Sequence, residues 1–186
     1  MRIIPIFKLD LLLKEFCKEI EYSIPRCHQV AANEGTAIAL ALGHYLGSGE
    51  VACVYMQNSG MGNAVNPLLS LADPKVYGIP MLLIIGWRGE PGKKDEPQHV
   101  KQGEITLSLL GTLGIPYCVV PQSKNAAQVV VQRAVRTAQK RLTPYALVVQ
   151  EGTFDISSKK KKEGTEPYSM KREEALRLVL GSLGKR

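Results

Sequence analysis

The residues best suited to chemistry fall in three polar stretches, each set just after an apolar run. The first is Ala32-Asn33-Glu34-Gly35, where a carboxylate opens the sequence TAIALALGHYL, so rich in Ala and Leu that it predicts a buried helix. A side-chain cap and an acid are both favoured at a helix N-terminus, by the unpaired N–H groups and by the helix dipole, so Asn33 and Glu34 have a structural reason to stand there. A carboxylate that moves protons would occupy the same place. The second stretch is Gln57-Asn58-Ser59-Gly60-Met61-Gly62-Asn63. Its glycines lie between an apolar run and a helical pattern, where they could let a phosphate approach backbone amides. The dinucleotide fingerprint also asks for glycine where Val65 stands, and for an acid where Trp87 and Arg88 end the next run. The stretch therefore reads as a structural turn. The third runs from Arg88 to His99, RGEPGKKDEPQH, longer and more polar than a minimal connection requires.

Other chemistries lack their residues. His99 could donate a proton or contact an anion, although a solvated loop histidine is the simpler reading. His28 and His44 stand in apolar surroundings and read as structural. Cys17, Cys27, Cys53 and Cys118 form no CxxC, and no histidine spacing pairs with them as zinc ligands, so no metal site is expected and the thiols should be reduced. No Ser/His/Asp spacing and no phosphate-binding Walker loop stands out.

The elements that must hold these stretches follow from periodicity. Strand candidates are IIPIF near Ile3, HQVAA from His28, EVACVYM from Glu50, IPMLLIIGW from Ile79, IPYCVV from Ile115 and YALVVQ from Tyr145. Helices are expected over Leu9 to Glu21, Thr36 to Leu46, Ala64 to Leu71, Ile105 to Leu113 and Asn125 to Arg141. Continuous apolar runs such as VACVYM and MLLIIGW suit strands buried on both faces. The alternation predicts an α/β fold of three layers, a mostly parallel sheet with helices on both faces. In such a sheet ligands bind beyond the carboxyl ends of the strands, and all three polar stretches fall there.

Composition narrows the class. The chain has 186 residues, 45% of them hydrophobic, enough for one domain with a real core. Its net charge of +7 is uneven: Ser157–Arg186 holds nine Lys/Arg against four Asp/Glu, or +5, leaving fifteen against thirteen, or +2, for residues 1–156. A body so nearly balanced argues against a nucleic-acid surface. Residues 1–156 are therefore expected to form the domain, and 157–186 a basic linker with a short C-terminal helix. No apolar run reaches the ~18 residues that span a bilayer. The N-terminus has no signal-peptide pattern, and Asp10 and Glu15 argue against a transit peptide. A cytoplasmic protein without membrane contact is the expectation.

Residues 31 to 103, from AANEGTAIALALGHYL through QNSGMGNAVNPL to GEPGKKDEPQHVKQG, closely resemble the phosphonopyruvate decarboxylases and the sulfopyruvate decarboxylase α subunits, which are thiamine-diphosphate enzymes. A looser match extends over about 27–154. The resemblance implies the pyrimidine-binding domain of that family, with Glu34 hydrogen-bonding the cofactor's aminopyrimidine ring and acting as the catalytic carboxyl. It implies that Gln57, Asn58, Ser59 and Gly60 line the cofactor and that Asp95, Gln98 and His99 lie near the substrate, with Lys93, Lys94 or Arg88 available to a phosphonate or sulfonate. Where family members carry a GVPDS-like substrate loop near the N-terminus, this chain reads MRIIPIFKL. Nothing in its 186 residues resembles the GDG…N motif that holds magnesium and the diphosphate. A diphosphate-binding domain or subunit is thus the expected partner, in a homo- or hetero-oligomer acting on a small anionic 2-oxo acid. Three functions stand open: half of a 3-phosphonopyruvate decarboxylase releasing phosphonoacetaldehyde and carbon dioxide, the α subunit of a sulfopyruvate decarboxylase, or a non-catalytic isoform or regulatory partner.

Overall fold

The computed structural model describes residues 3–5, 12–24, 26 and 28–154. The basic linker and helix expected over 157–186 lie outside the described residues, as does the start of the first expected helix. The elements run β1 (Ile3–Pro5), α1 (Lys14–Ser23), α2 (Glu34–Ser48), β2 (Ala52–Gln57), α3 (Met61–Pro67), β3 (Met81–Gly86), α4 (Pro97–Thr112), β4 (Tyr117–Val119), α5 (Lys124–Arg141) and β5 (Pro144–Val149). A 3₁₀ turn, Asn58–Gly60, joins β2 to α3, and a π-helical turn, Leu68–Ala72, continues α3.

The strands form one sheet in the order β1-β2-β3-β5-β4, and every pairing is parallel. Its three longest strands end flush, Gln57 opposite Gly86 and Gly86 opposite Val149, so the chain segments leaving them emerge side by side. Alternation along the strands sends Val54, Met56, Leu83, Ile85 and Val148 to one face, against Ala37, Ile38 and Ala41 of α2, Met61 and Ala64 of α3, and Leu110 of α4. Cys53, Tyr55, Leu82, Leu147 and Val149 point the other way, to Ile20 of α1 and Ala134 and Ala138 of α5. Each fully buried Leu, Ile, Val or Met contributes about 1.5–3 kcal/mol, which makes these two apolar layers the main support of the sheet edge.

Three expected elements differ. HQVAA is not a strand: only His28 and Ala31 make isolated bridges. Val30 is 60% exposed and Ala31 is the one buried residue of the five, so the segment has too little apolar surface to gain by extending the sheet. The third helix begins at Met61 rather than Ala64. The fourth begins at Pro97, eight residues ahead of the expected Ile105, because Pro97 occupies the first helical turn, where its missing N–H costs nothing. No helix among the described residues is long and apolar enough to cross a membrane.

Candidate functional site

Glu34 stands in the first turn of α2, behind Asn33, whose Oδ1 accepts a hydrogen bond from the Thr36 N–H at 2.9 Å. The carboxylate is half-buried rather than enclosed. Its Oε2 accepts from Asn63 Nδ2 at 2.8 Å. Beneath it lies Gly60, where an added Cβ would come within 2.5 Å of Glu34 Cγ. A Cβ at Gly35 would sit 2.9 Å from the backbone oxygen of Asn63. The first turns of α2 and α3 thus meet almost backbone to backbone, and Glu34 lies across the 3₁₀ turn at the carboxyl edge of the sheet.

Asn58 is only 2% exposed, and its amide is fully engaged inside the protein. Nδ2 donates to the Arg88 carbonyl at 2.8 Å and to Thr106 Oγ1 at 2.9 Å, while Oδ1 accepts from the Arg88 N–H at 3.2 Å. Thr106 in turn donates to the Gln102 carbonyl at 2.6 Å. A buried amide needs such partners. The result is a pin that ties the end of β2 to the end of β3 and to α4. Next to it Gln57 Nε2 donates to Ser59 Oγ at 2.7 Å and lies 3.4 Å from His99 Nδ1. Gln57, Ser59 and His99 are thereby brought together, whereas Gln98 points to solvent.

The segment after β3 is organised by Asp95. Its carboxylate takes Arg88 Nε at 2.8 Å, Arg88 Nη2, the Gly89 N–H at 2.7 Å and the Glu96 N–H at 2.8 Å. The Arg88 hydrogen bonds, offset in part by burial and assisted by the two backbone N–H groups, hold its pKa well below the usual carboxylate range. Gly89 adopts φ +68°, and a Cβ there would collide with the His99 carbonyl. A Cβ at Gly103 would collide with the Gly89 carbonyl and lie 2.7 Å from its Cα. Two glycines therefore let the loop lie directly on α4, and Trp87 Nε1 closes the contact by donating to the Gly103 carbonyl at 2.9 Å. Glu90 accepts from Gln150, just beyond β5, and pairs with Lys93 at 3.0 Å. Lys94 is exposed.

Asn63, Thr106, Trp87, Gly103 and Gln150 were not among the expected site residues. Asn63 closes the second polar stretch, but its meeting with a residue 29 positions earlier leaves no mark in local sequence. The expected structural histidines are tied into the fold. His28 Nε2 lies 2.9 Å from the Tyr55 hydroxyl, and burial lowers its pKa against a smaller opposing effect of Glu21. His44 contacts Ser48 and lies 3.7 Å from Glu50.

This edge, with a helix-opening glutamate over a glycine turn, lies within the part of the chain that matches a known family. Residues 11–110 match the model of the thiamine pyrophosphate enzyme N-terminal TPP binding domain. The chain belongs to that family. Its cofactor is thiamine diphosphate. Among its relatives is a phosphonopyruvate decarboxylase of Streptomyces hygroscopicus, 39% identical over 121 residues, which cover 65% of this chain and 29% of the relative. A sulfopyruvate decarboxylase subunit alpha of Methanococcus maripaludis is 35% identical over 122 residues, 66% of this chain and 70% of that subunit. Benzoylformate decarboxylase from Polynucleobacter necessarius shares the fold, with a TM-score of 0.59 at 15% identity over 89% of this chain and 30% of that one. The chain thus spans under a third of the phosphonopyruvate decarboxylase and most of the sulfopyruvate decarboxylase subunit.

Proposed function

We propose that this chain is the pyrimidine-binding half of a thiamine-diphosphate-dependent decarboxylase that converts 3-phosphonopyruvate to phosphonoacetaldehyde and carbon dioxide. The observation that carries the reading is Glu34: a carboxylate fixed by Asn63, seated on Gly60 and still partly open at the carboxyl edge, within a family that binds this cofactor. The residues present suit the cofactor's aminopyrimidine, because a carboxyl seated on the glycine turn and still partly exposed can share a proton with a ring nitrogen. When bound, the cofactor supplies the electron sink for the carbanion left by departing carbon dioxide. Glu34 would share a proton with the cofactor's ring, and Asn58 fixes the loop that carries Gln57, Ser59 and Gly60. Asp95 neutralises Arg88 and shapes its loop, so contact with the substrate's phosphonate falls to Lys94 and His99, with Gln98 beside them. Diphosphate and magnesium fall to a diphosphate-binding domain or subunit.

Likeness to a relative favours a second reading, the α subunit of a sulfopyruvate decarboxylase, since this chain is 35% identical to such a subunit over 70% of its length. The two readings share every step at Glu34 and differ in the anion recognised. Assembled with its diphosphate-binding partner, magnesium and thiamine diphosphate, the chain should release carbon dioxide faster from 3-phosphonopyruvate than from 3-sulfopyruvate. The reverse preference would establish the second reading, and inertness toward both would leave the non-catalytic one.

A further inference from the structure

We infer that Asn63 is a positioning residue for Glu34, one that divides the labour between the two carboxyl oxygens; this rests on the decarboxylase reading above. The Asn63 amide nitrogen can only donate, and it donates to Oε2 at 2.8 Å. Oε2 is thereby kept as an acceptor, and the proton exchanged with the cofactor's ring resides on Oε1, the oxygen over Gly60.

Three features make this more than a surface contact. Asn63 is exposed, so its side chain fills no gap in the core, and its amide hydrogen-bonds Glu34. Its backbone oxygen lies 2.9 Å from where a Cβ at Gly35 would stand, so glycine there lets the first turn of α3 lie close against α2. The amide therefore reaches Glu34 from a fixed origin. On its other side Glu34 packs onto Gly60, its Cδ 2.6 Å from where a Cβ would stand, in space that only glycine leaves. The carboxyl is thus held between an amide and a glycine floor. Water weakens such a bond on an open surface, and a partner that covers the site strengthens it by lowering the local dielectric.

The test uses the full ¹⁵N-labelled chain and, in parallel, its complex with the diphosphate-binding partner, magnesium and thiamine diphosphate. In the chain alone, Glu34→Gln should shift the Asn63 side-chain amide resonances; unchanged resonances would overturn the inference. In the complex, Asn63→Leu, close in shape but with no donor, should lower kcat by about 10²-fold, the usual effect of a misplaced catalytic group. KM for the 2-oxo acid and the thermal midpoint should stay as in the unaltered chain. An unchanged kcat in Asn63→Leu, together with an inactive Glu34→Ala, would remove Asn63 from the site and leave the decarboxylase reading standing. Full turnover in Glu34→Ala would remove that reading and the inference with it.

Discussion

At the scale of single residues, Gly60 and Asp95 show how the site is held. Gly60 has φ −74° and ψ −14°, a backbone that alanine adopts freely, so Gly60→Ala meets no backbone strain. Its new methyl would instead strike Glu34 and turn the carboxylate toward solvent. We predict a kcat loss of about 10²-fold with a stability change under about 1 kcal/mol, read from turnover and thermal denaturation of one preparation. Asp95 has a structural signature. Its side chain is 13% exposed and bonded to Arg88 and two backbone N–H groups, so Asp95→Ala should cost about 1.5–3 kcal/mol at neutral pH. Its folded-state pKa is depressed, so this contribution is complete above the ordinary value of 3.8 and is lost as pH falls through the folded pKa. The gap in thermal midpoint between the unaltered chain and Asp95→Ala should therefore be constant above about pH 5 and narrow below 3.8. A gap that widened on acidification would contradict the pairing.

At the scale of elements, α4 carries the clearest constraint. Gly103→Ala would drive a methyl into the Gly89 backbone, and neither the helix nor the loop can yield without breaking the Trp87 contact. A loss of about 1–3 kcal/mol or more is expected. Gly111→Ala on the same helix meets nothing within 4 Å and should stabilise by up to about 1 kcal/mol. Opposite shifts of the two thermal midpoints would separate close approach from helix propensity. This element also shows where sequence reasoning stops. β2, β3 and β5 are legible because strands covered on both faces must be apolar throughout, as ACVYMQ, MLLIIG and PYALVV nearly are. The first half of α4, PQHVKQGE, breaks the apolar period with polar residues and a glycine, and that glycine serves a contact 14 positions away. HQVAA misleads in the opposite direction: it has strand composition but buries almost nothing. At the site, Glu34 was legible through its motif, whereas the bonds of Asn58 to Arg88 and Thr106 span 30 and 48 positions and required the fold.

For the whole molecule, the parallel sheet sends the segments after β2, β3 and β5 to one edge and places the start of α2 among them. A stretch rich in Ala and Leu predicts a buried helix at α2, yet only Ala37, Ile38 and Ala41 are buried and Leu40 and Leu46 remain 40% and 61% exposed. Composition reports how much of a helix is apolar but not which part its own domain covers. The site shares this character, since Glu34 is positioned from one side and open on the other. On the proposed reading the chain alone should not decarboxylate either 2-oxo acid, and turnover should appear with a diphosphate-binding partner. The most direct measurement is carbon dioxide release from 3-phosphonopyruvate by that complex, with magnesium and thiamine diphosphate, for the unaltered chain and for Glu34→Ala, with assembly followed by sedimentation. The account predicts turnover in the first, none above background in the second, and the same assembly in both. Equal turnover in the two complexes would contradict it.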